Sequence, residues 1–225
     1  MNTDPDLLEA QGRRFDTAAP GPLLDAMQPG VLRSVYRGVP FLKSPFDIGI
    51  YLQLLSVQQP RSVVEIGTKH GGSALWFADM LSAAGVAEPA VVSVDIRPMA
   101  AFTDPRIRFL KGVAQALGEV LTPALLDALP RPLLVIDDSS HLYADALAVL
   151  RFFDPVLAPG DRIVVEDGVV RHLGDPIYQR YEDGPSRAVR DFLAETGERY
   201  AIDAALCDHY GRNVTYNPNG YLVRR

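Results

Sequence analysis

Cysteine, cationic excess, long apolar runs and the usual dinucleotide fingerprint are all scarce or missing in this 225-residue chain, and each shortage removes a class of protein. The single cysteine, Cys207, cannot close an internal disulfide, so a small buried side chain in a reducing compartment is expected. Lys and Arg number 22 against 28 Asp and Glu, and they are scattered rather than gathered on one face. That leaves no electrostatic footprint for a phosphate backbone, and no nucleic-acid partner is expected. No apolar run approaches the roughly 18 residues of a membrane-spanning helix, so no membrane partner is expected either. Asp4, Asp6 and Glu9 stand where an export signal would be basic and then apolar, and Arg13-Arg14 leads into Phe15-Asp16-Thr17 rather than a hydrophobic stretch. The chain reads as soluble and cytoplasmic. No pair of His or Cys has the spacing of zinc ligands.

What is present suits one α/β domain: 48% of the residues are apolar, enough to bury a full core. Residues 1–33, rich in Pro, Gly, Asp and Ala, read as a partly flexible arm with at most one short helix, of a kind that often packs on a neighbouring copy; a homo-oligomer is expected. A helical stripe runs from Phe46 through Ile48, Tyr51, Leu54 and Leu55 to Gln59. Strands are expected at 62–66, 91–95, 107–111, 133–138 and 163–167, with helices at 74–81, 118–127, 143–153 and 186–196 between them. Strand and helix alternate, which calls for a Rossmann-like, doubly wound, mostly parallel sheet covered on both faces. Strands at 200–205 and 214–223, the second interrupted by Asn217-Pro218-Asn219-Gly220 and with no helix between them, add a C-terminal antiparallel pair and bring the sheet to seven strands.

The stretch Ser62-Val63-Val64-Glu65-Ile66-Gly67-Thr68-Lys69-His70-Gly71-Gly72-Ser73 is a strand, a glycine turn and a helix start, the form of a nucleotide-cofactor loop. Gly67 permits the turn, and Gly71 and Gly72 would clear space for a ligand at the helix N-terminus. Three residues separate the first two glycines, which departs from G-x-G-x-x-G. Asp95, at the tip of the second strand, is placed to accept hydrogen bonds from ribose hydroxyls. The strand ends carry six carboxylates, Glu65, Asp95, Asp137, Asp138, Glu166 and Asp167, and so many like charges ask for a cation or a hydroxyl-rich ligand. Asp138, Glu166 and Asp167 come from adjacent strands and suit a hard cation such as Mg2+. His141, three residues after Asp138, is a candidate general base, with His172 in reserve; His70 and His209 carry less weight.

Val64-Glu65-Ile66-Gly67-Thr68 with Gly71-Gly72-Ser73, Asp138-Ser139-Ser140-His141, Glu166-Asp167 and Asn217-Pro218-Asn219-Gly220-Tyr221-Leu222 together resemble the cephalosporin hydroxylase-like and macrolide-sugar O-methyltransferase family of class I S-adenosylmethionine-dependent methyltransferases. The segments 36–47 and 184–193 resemble it too, so the likeness runs from about residue 34 to the last residue and implies a catalytic domain over 34–225. It implies metal ligation by Asp138, Glu166 and Asp167, and catalysis by His141 as base with Asp138. It implies cofactor contacts from Glu65, Gly67, Thr68, Gly71, Ser73, Asp95, Val113 and Asp137. The expected reaction is magnesium-dependent methyl transfer from S-adenosylmethionine to a free hydroxyl of a small natural product or antibiotic, for example on a deoxysugar. The macrolide-sugar enzymes carry a substantial N-terminal domain without counterpart here, so their lid and oligomer geometry do not carry over. Two other readings stay open: an NAD-linked oxidoreductase, against which the missing fingerprint and the lack of a Tyr-x-x-x-Lys pair count, and a non-catalytic S-adenosylmethionine-binding module.

Overall fold

Runs of Val, Ile and Leu without polar alternation belong to strands buried on both faces, and the centre of this protein is built from them. The structure is a computed structural model that describes residues 9–225. Two small hairpins come first, β1 (Glu9–Ala10) with β2 (Arg13–Arg14) and β3 (Val35–Tyr36) with β4 (Val39–Pro40), with helix α1 (Gly21–Val31) between them. Helix α2 (Pro45–Gln58) starts where its sequence demands: Pro45 fixes the first turn, and the Ser44 hydroxyl accepts from the Asp47 N–H at 3.1 Å.

The main sheet comprises β5 (Ser62–Ile66), β6 (Ala90–Asp95), β7 (Ile107–Lys111), β8 (Leu133–Asp137), β9 (Arg162–Val165), β10 (Tyr200–Ile202) and β11 (Tyr221–Arg224). Their order is β10-β11-β9-β8-β5-β6-β7; β5 to β9 are parallel, and β11 lies antiparallel between β10 and β9. Ile66 pairs with both Val94 and Asp137, and Asp137 pairs with Val165. The parallel strands therefore end level, and their C-terminal residues share one rim. Helices α3 (Gly72–Ala83), α4 (Pro123–Asp127), α5 (Tyr143–Phe153), α6 (Gly184–Thr196) and α7 (Ala204–Cys207) complete the fold, with α5 packed on α6. The seven-stranded, doubly wound sheet with its antiparallel pair is the architecture the sequence calls for.

Three local expectations give way. The segment 118–127 is not one helix but a 3-10 turn, Ala114–Glu119, followed by α4; Pro123 keeps Thr122 extended, and the Thr122 hydroxyl caps Leu125. The strand expected over 200–205 stops at Ile202, because the Asp203 carboxylate caps α7, so a short helix does stand between the last two strands. Of 214–223 only the end is strand. Asn213 and Asn219 adopt left-handed φ of 51°, and the segment before Tyr221 turns back on itself. From residue 9 on, the N-terminal stretch is tied to the body: Phe15 is fully buried in the core, Arg13 grips both oxygens of Asp208 at 2.7 and 2.9 Å, and the Asn213 amide donates to the carbonyls of Arg14 and Asp16 at 3.0 Å.

Candidate active site

The level strand ends border a cavity of about 680 Å³, within the usual range for small-molecule sites. Above β5, β6 and β7 its wall is made by Gly67, Thr68, Lys69, Ser73, Asp95 and Val113. Gly67 has φ +107°, and a Cβ there would lie 1.8 Å from the Asp138 carbonyl oxygen, so the neighbouring chain as well as the turn requires glycine. Gly71 and Gly72 serve packing rather than ligand clearance. Gly71 takes a left-handed φ against Phe109, and a Cβ on Gly72 would lie 2.1 Å from the Pro40 carbonyl oxygen; Gly71 is not on the cavity wall.

Asp95 accepts the N–H groups of Lys69 and Arg97 at 2.8 and 2.7 Å, which fixes its carboxylate at the rim with lone pairs to spare for a diol. Glu65 sits beneath the loop, fully buried. Ser93 donates to its Oε2 at 2.6 Å while its Oε1 has no partner, and burial pushes its carboxyl up. Glu65 is off the cavity wall; an orphaned Thr68 hydroxyl and a fixed Asp95 on the wall fit a ligand that brings hydroxyl donors, as S-adenosylmethionine does.

At mid-cavity, β8 and β9 contribute the acids. The chain turns sharply after each, with His141 at φ 60° and Asp167 at φ 58°. These turns bring one ligand atom each of Asp138, His141 and Asp167 within 4.8 Å of one another, the cluster of this kind found among the described residues. His141 Nε2 lies 3.4 Å from Asp167 Oδ2, and the imidazole meets the Tyr181 ring edge-on. Burial raises the Asp138 and Asp167 carboxyls; Lys43 opposes it at the first and His141 at the second. Two inward carboxylates suit a hard cation, so the donor set fits magnesium in part.

Glu166 does not join them. β9 ends at Val165, and Glu166, off the cavity wall and 2% exposed, accepts from the Tyr51 hydroxyl at 2.5 Å and pairs with Lys43. The Lys43 ammonium also lies 2.6 Å from Asp138 Oδ2. A buried lysine thus stands between Glu166 and Asp138, two of the three acids expected to act together, while His141 lies beside Asp138 and Asp167. Asp137 is buried below the turn, accepts the Ser139 N–H at 3.3 Å and is pushed up to about 6 by burial; it is off the cavity wall. His172, in the turn Gly168–His172, is off the wall as well.

Lys43 is the functional residue the sequence reading misses, although a lone lysine within Val39-Pro40-Phe41-Leu42-Lys43 was a signal. Asp47 is the other. It is 2% exposed and takes hydrogen bonds from Ser44, Thr215, the Tyr216 N–H and the Tyr221 hydroxyl, fixing the turns before β11. From those turns Asn217 Oδ1 accepts the Asp167 N–H at 3.0 Å, holding the left-handed backbone that aims Asp167 inward.

A parallel sheet whose last strand inserts antiparallel beside β9, with a glycine turn after β5 and an acid at the tip of β6, defines the class I S-adenosylmethionine-dependent methyltransferase architecture. Comparison with known proteins places the chain within that class. It belongs to the Rhamnosyl O-methyltransferase/CmcI family, which it matches over residues 31–225. The rhamnosyl O-methyltransferase of Mycobacterium tuberculosis (strain H37Rv) is 32% identical over 200 residues, covering 85% of this chain and 78% of its own length. That of Mycobacterium leprae is 32% identical over 198 residues, covering 85% and 83%. Among solved structures, CmcI with magnesium and S-adenosylmethionine superposes with a TM-score of 0.64 at 23% identity, over 86% of this chain and 77% of that one. The TDP-rhamnose 3'-O-methyltransferase of calicheamicin biosynthesis, in its apo form, gives 0.51 at 17%, over 80% and 76%. Both structural likenesses concern the fold. With a methyltransferase family established, the oxidoreductase reading is set aside.

Proposed function

We propose that the protein methylates a hydroxyl of a sugar in a small natural product, using S-adenosylmethionine and a divalent cation. The observation that carries the reading is the meeting of Asp138, His141 and Asp167 on the wall of the same cavity that the glycine-turn loop lines. The names of the curated relatives support a sugar as acceptor. The catalytic unit is read as residues 34–225; the family match, beginning at Val31, supports that limit.

When bound, S-adenosylmethionine supplies an electrophilic methyl group and magnesium a positive charge beside the acceptor oxygen. Asp95 would hold the ribose diol, and Gly67, Thr68, Lys69, Ser73 and Val113 would line the remainder of the donor. Asp138 and Asp167 would hold the cation. His141 accepts the acceptor's hydroxyl proton, and Asp167, 3.4 Å from its Nε2, stabilises the imidazolium that forms. Fixing donor and acceptor in line accounts for the largest share, on the order of 7–11 kcal/mol of barrier.

The test is transfer of a labelled methyl group from S-adenosylmethionine to a panel of rhamnosides, with and without exhaustive chelation, alongside calorimetric binding of the donor. Donor binding with chelator-sensitive transfer is expected. Transfer that survives chelation removes the cation from the mechanism, and donor binding without transfer to any sugar favours a non-catalytic role.

A further inference from the structure

The donor set on the cavity wall meets a hard cation only in part, and Lys43 supplies the reason. Lys43 stands just before α2, lies on the cavity wall and is 5% exposed. Its ammonium lies 2.6 Å from Asp138 Oδ2 and pairs with Glu166 Oε2, so a single atom, Nζ, touches two acids at once. An ammonium is a compact point charge with donors and no acceptor, and between two carboxylates it does the work of a small cation.

Glu166 is committed on both oxygens. Its Oε1 accepts from the Tyr51 hydroxyl at 2.5 Å, and its Oε2 takes the ammonium. Tyr51 is fully buried and meets Phe77 and Tyr221 edge-on, with ring centres 5.1 and 5.9 Å away, so its hydroxyl is a fixed partner. Glu166 is also off the cavity wall; among the described residues, the ligand atoms that converge within 4.8 Å are those of Asp138, His141 and Asp167. Magnesium is commonly held by one or two carboxylates and keeps several waters, a demand that Asp138 and Asp167 meet without a third acid.

Resting on the proposed cation-assisted methyl transfer, we infer that Lys43 is the resident cation of this site: it keeps Glu166 out of the divalent ion's ligand set, leaves that ion to Asp138 and Asp167, and weakens the hold on it. Lys43 is a positioning residue, acting through the two acids it touches. Glu166 Oε2 and Asp138 Oδ2 share one ammonium, so its removal opens the way for Glu166 to reach the ion.

The experiment is Mn2+ binding to the whole protein without donor, read from the paramagnetic resonance signal of the free ion, for wild type and four variants. Asp167→Asn removes a ligand and is expected to weaken Mn2+ at least about tenfold, whereas Glu166→Gln, which keeps the shape of the side chain, changes it less than about threefold. Lys43→Met is expected to tighten Mn2+ at least about tenfold, because a like charge leaves and a third carboxylate comes within reach. Adding Glu166→Gln to Lys43→Met should then cost at least about tenfold, a coupling that the wild-type background lacks. A merely structural role for Lys43 leaves the Mn2+ affinity of folded variants where it was. A Glu166→Gln loss equal to that of Asp167→Asn, a Lys43→Met protein that binds Mn2+ no tighter than wild type, or a double variant as tight as Lys43→Met overturns the inference. Where Lys43→Met does not fold, the comparison of Glu166→Gln with Asp167→Asn decides alone. A wild type that binds no Mn2+ overturns the proposed cation and this inference together, whereas a wild type that binds it with variants outside the pattern overturns the inference only.

Discussion

Replacing Lys43 by Met removes one positive charge from a buried site and keeps the apolar stem. The ammonium is 5% exposed, lies 2.6 Å from Asp138 Oδ2 and pairs with Glu166, itself 2% exposed. Burial alone would lower the Lys43 pKa, but Asp138, Glu166 and Glu65 outweigh it and hold it well above its ordinary value. Breaking a buried ion pair from one side leaves an uncompensated charge and costs about 3–5 kcal/mol. At about 2–4 °C per kcal/mol for a chain of this size, the melting temperature should drop by roughly 6–20 °C. Most of that belongs to Glu166, left beside Asp138 without its cation and able to stay buried only by binding a proton, so Lys43→Met with Glu166→Gln should regain the larger part, a coupling that a double-mutant cycle isolates. The sign with pH follows. In Lys43→Met the Glu166 carboxyl, raised by burial, lies further above its unfolded value, so the folded state binds more protons and stability is lost as pH rises through that window. Because Glu166 stands at about 8 already in the wild type, the extra loss accrues above that value, and the deficit should be smaller at pH 7 than at pH 9. Urea denaturation followed by circular dichroism at the two pH values measures it. A single variant that melts within a degree of wild type at pH 9, or a double variant no better than the single, refutes the reasoning.

Three further outcomes follow from the same geometry. Gly67→Ala should fail to fold or lose more than 10 °C of melting temperature, because its Cβ would lie 1.8 Å from a backbone oxygen at φ +107°; a soluble variant with unchanged melting would show that the two turns can separate. Asp137, pushed up from 3.8 to about 6 by burial, makes wild-type stability fall as pH climbs from about 4 to 6. Asp137→Asn lacks that slope, so its stability relative to wild type should improve by on the order of 3 kcal/mol between pH 3.5 and pH 7; equal urea midpoint differences at both would contradict it. Asp95→Ala removes the carboxylate that organises the Lys69 and Arg97 amides and should weaken S-adenosylmethionine at least about tenfold by calorimetry; an unchanged dissociation constant would place the ribose elsewhere.

Much of this was legible in the sequence because it depends on neighbours along the chain. Strands covered on both faces read as unbroken apolar runs, so β7 and α5 fall at their expected limits, and the acids closing β6, β8 and β9 mark the functional rim. What depends on distant residues was not legible. Lys43 meets Asp138 and Glu166 across 95 and 123 residues of sequence, and no local pattern announces that pairing. Which of two adjacent acids faces the cavity is decided by the left-handed Asp167 backbone, held by Asn217 fifty residues later. The glycine pair Gly71-Gly72 reads as ligand space, yet it answers to Phe109 and Pro40. The N-terminal stretch lacks periodicity, and α1 acquires its place from the apolar cluster it shares with Leu173 and Tyr216.

His141 gives the decisive measurement: transfer of a labelled methyl group to a rhamnoside by His141→Ala, with donor binding determined on the same preparation. Loss of a positioned base should lower transfer at least about 100-fold while S-adenosylmethionine binds as it does to wild type. Transfer within a few-fold of wild type, with donor binding intact, would contradict the assignment of the Asp138, His141 and Asp167 cluster as the place where the acceptor hydroxyl loses its proton.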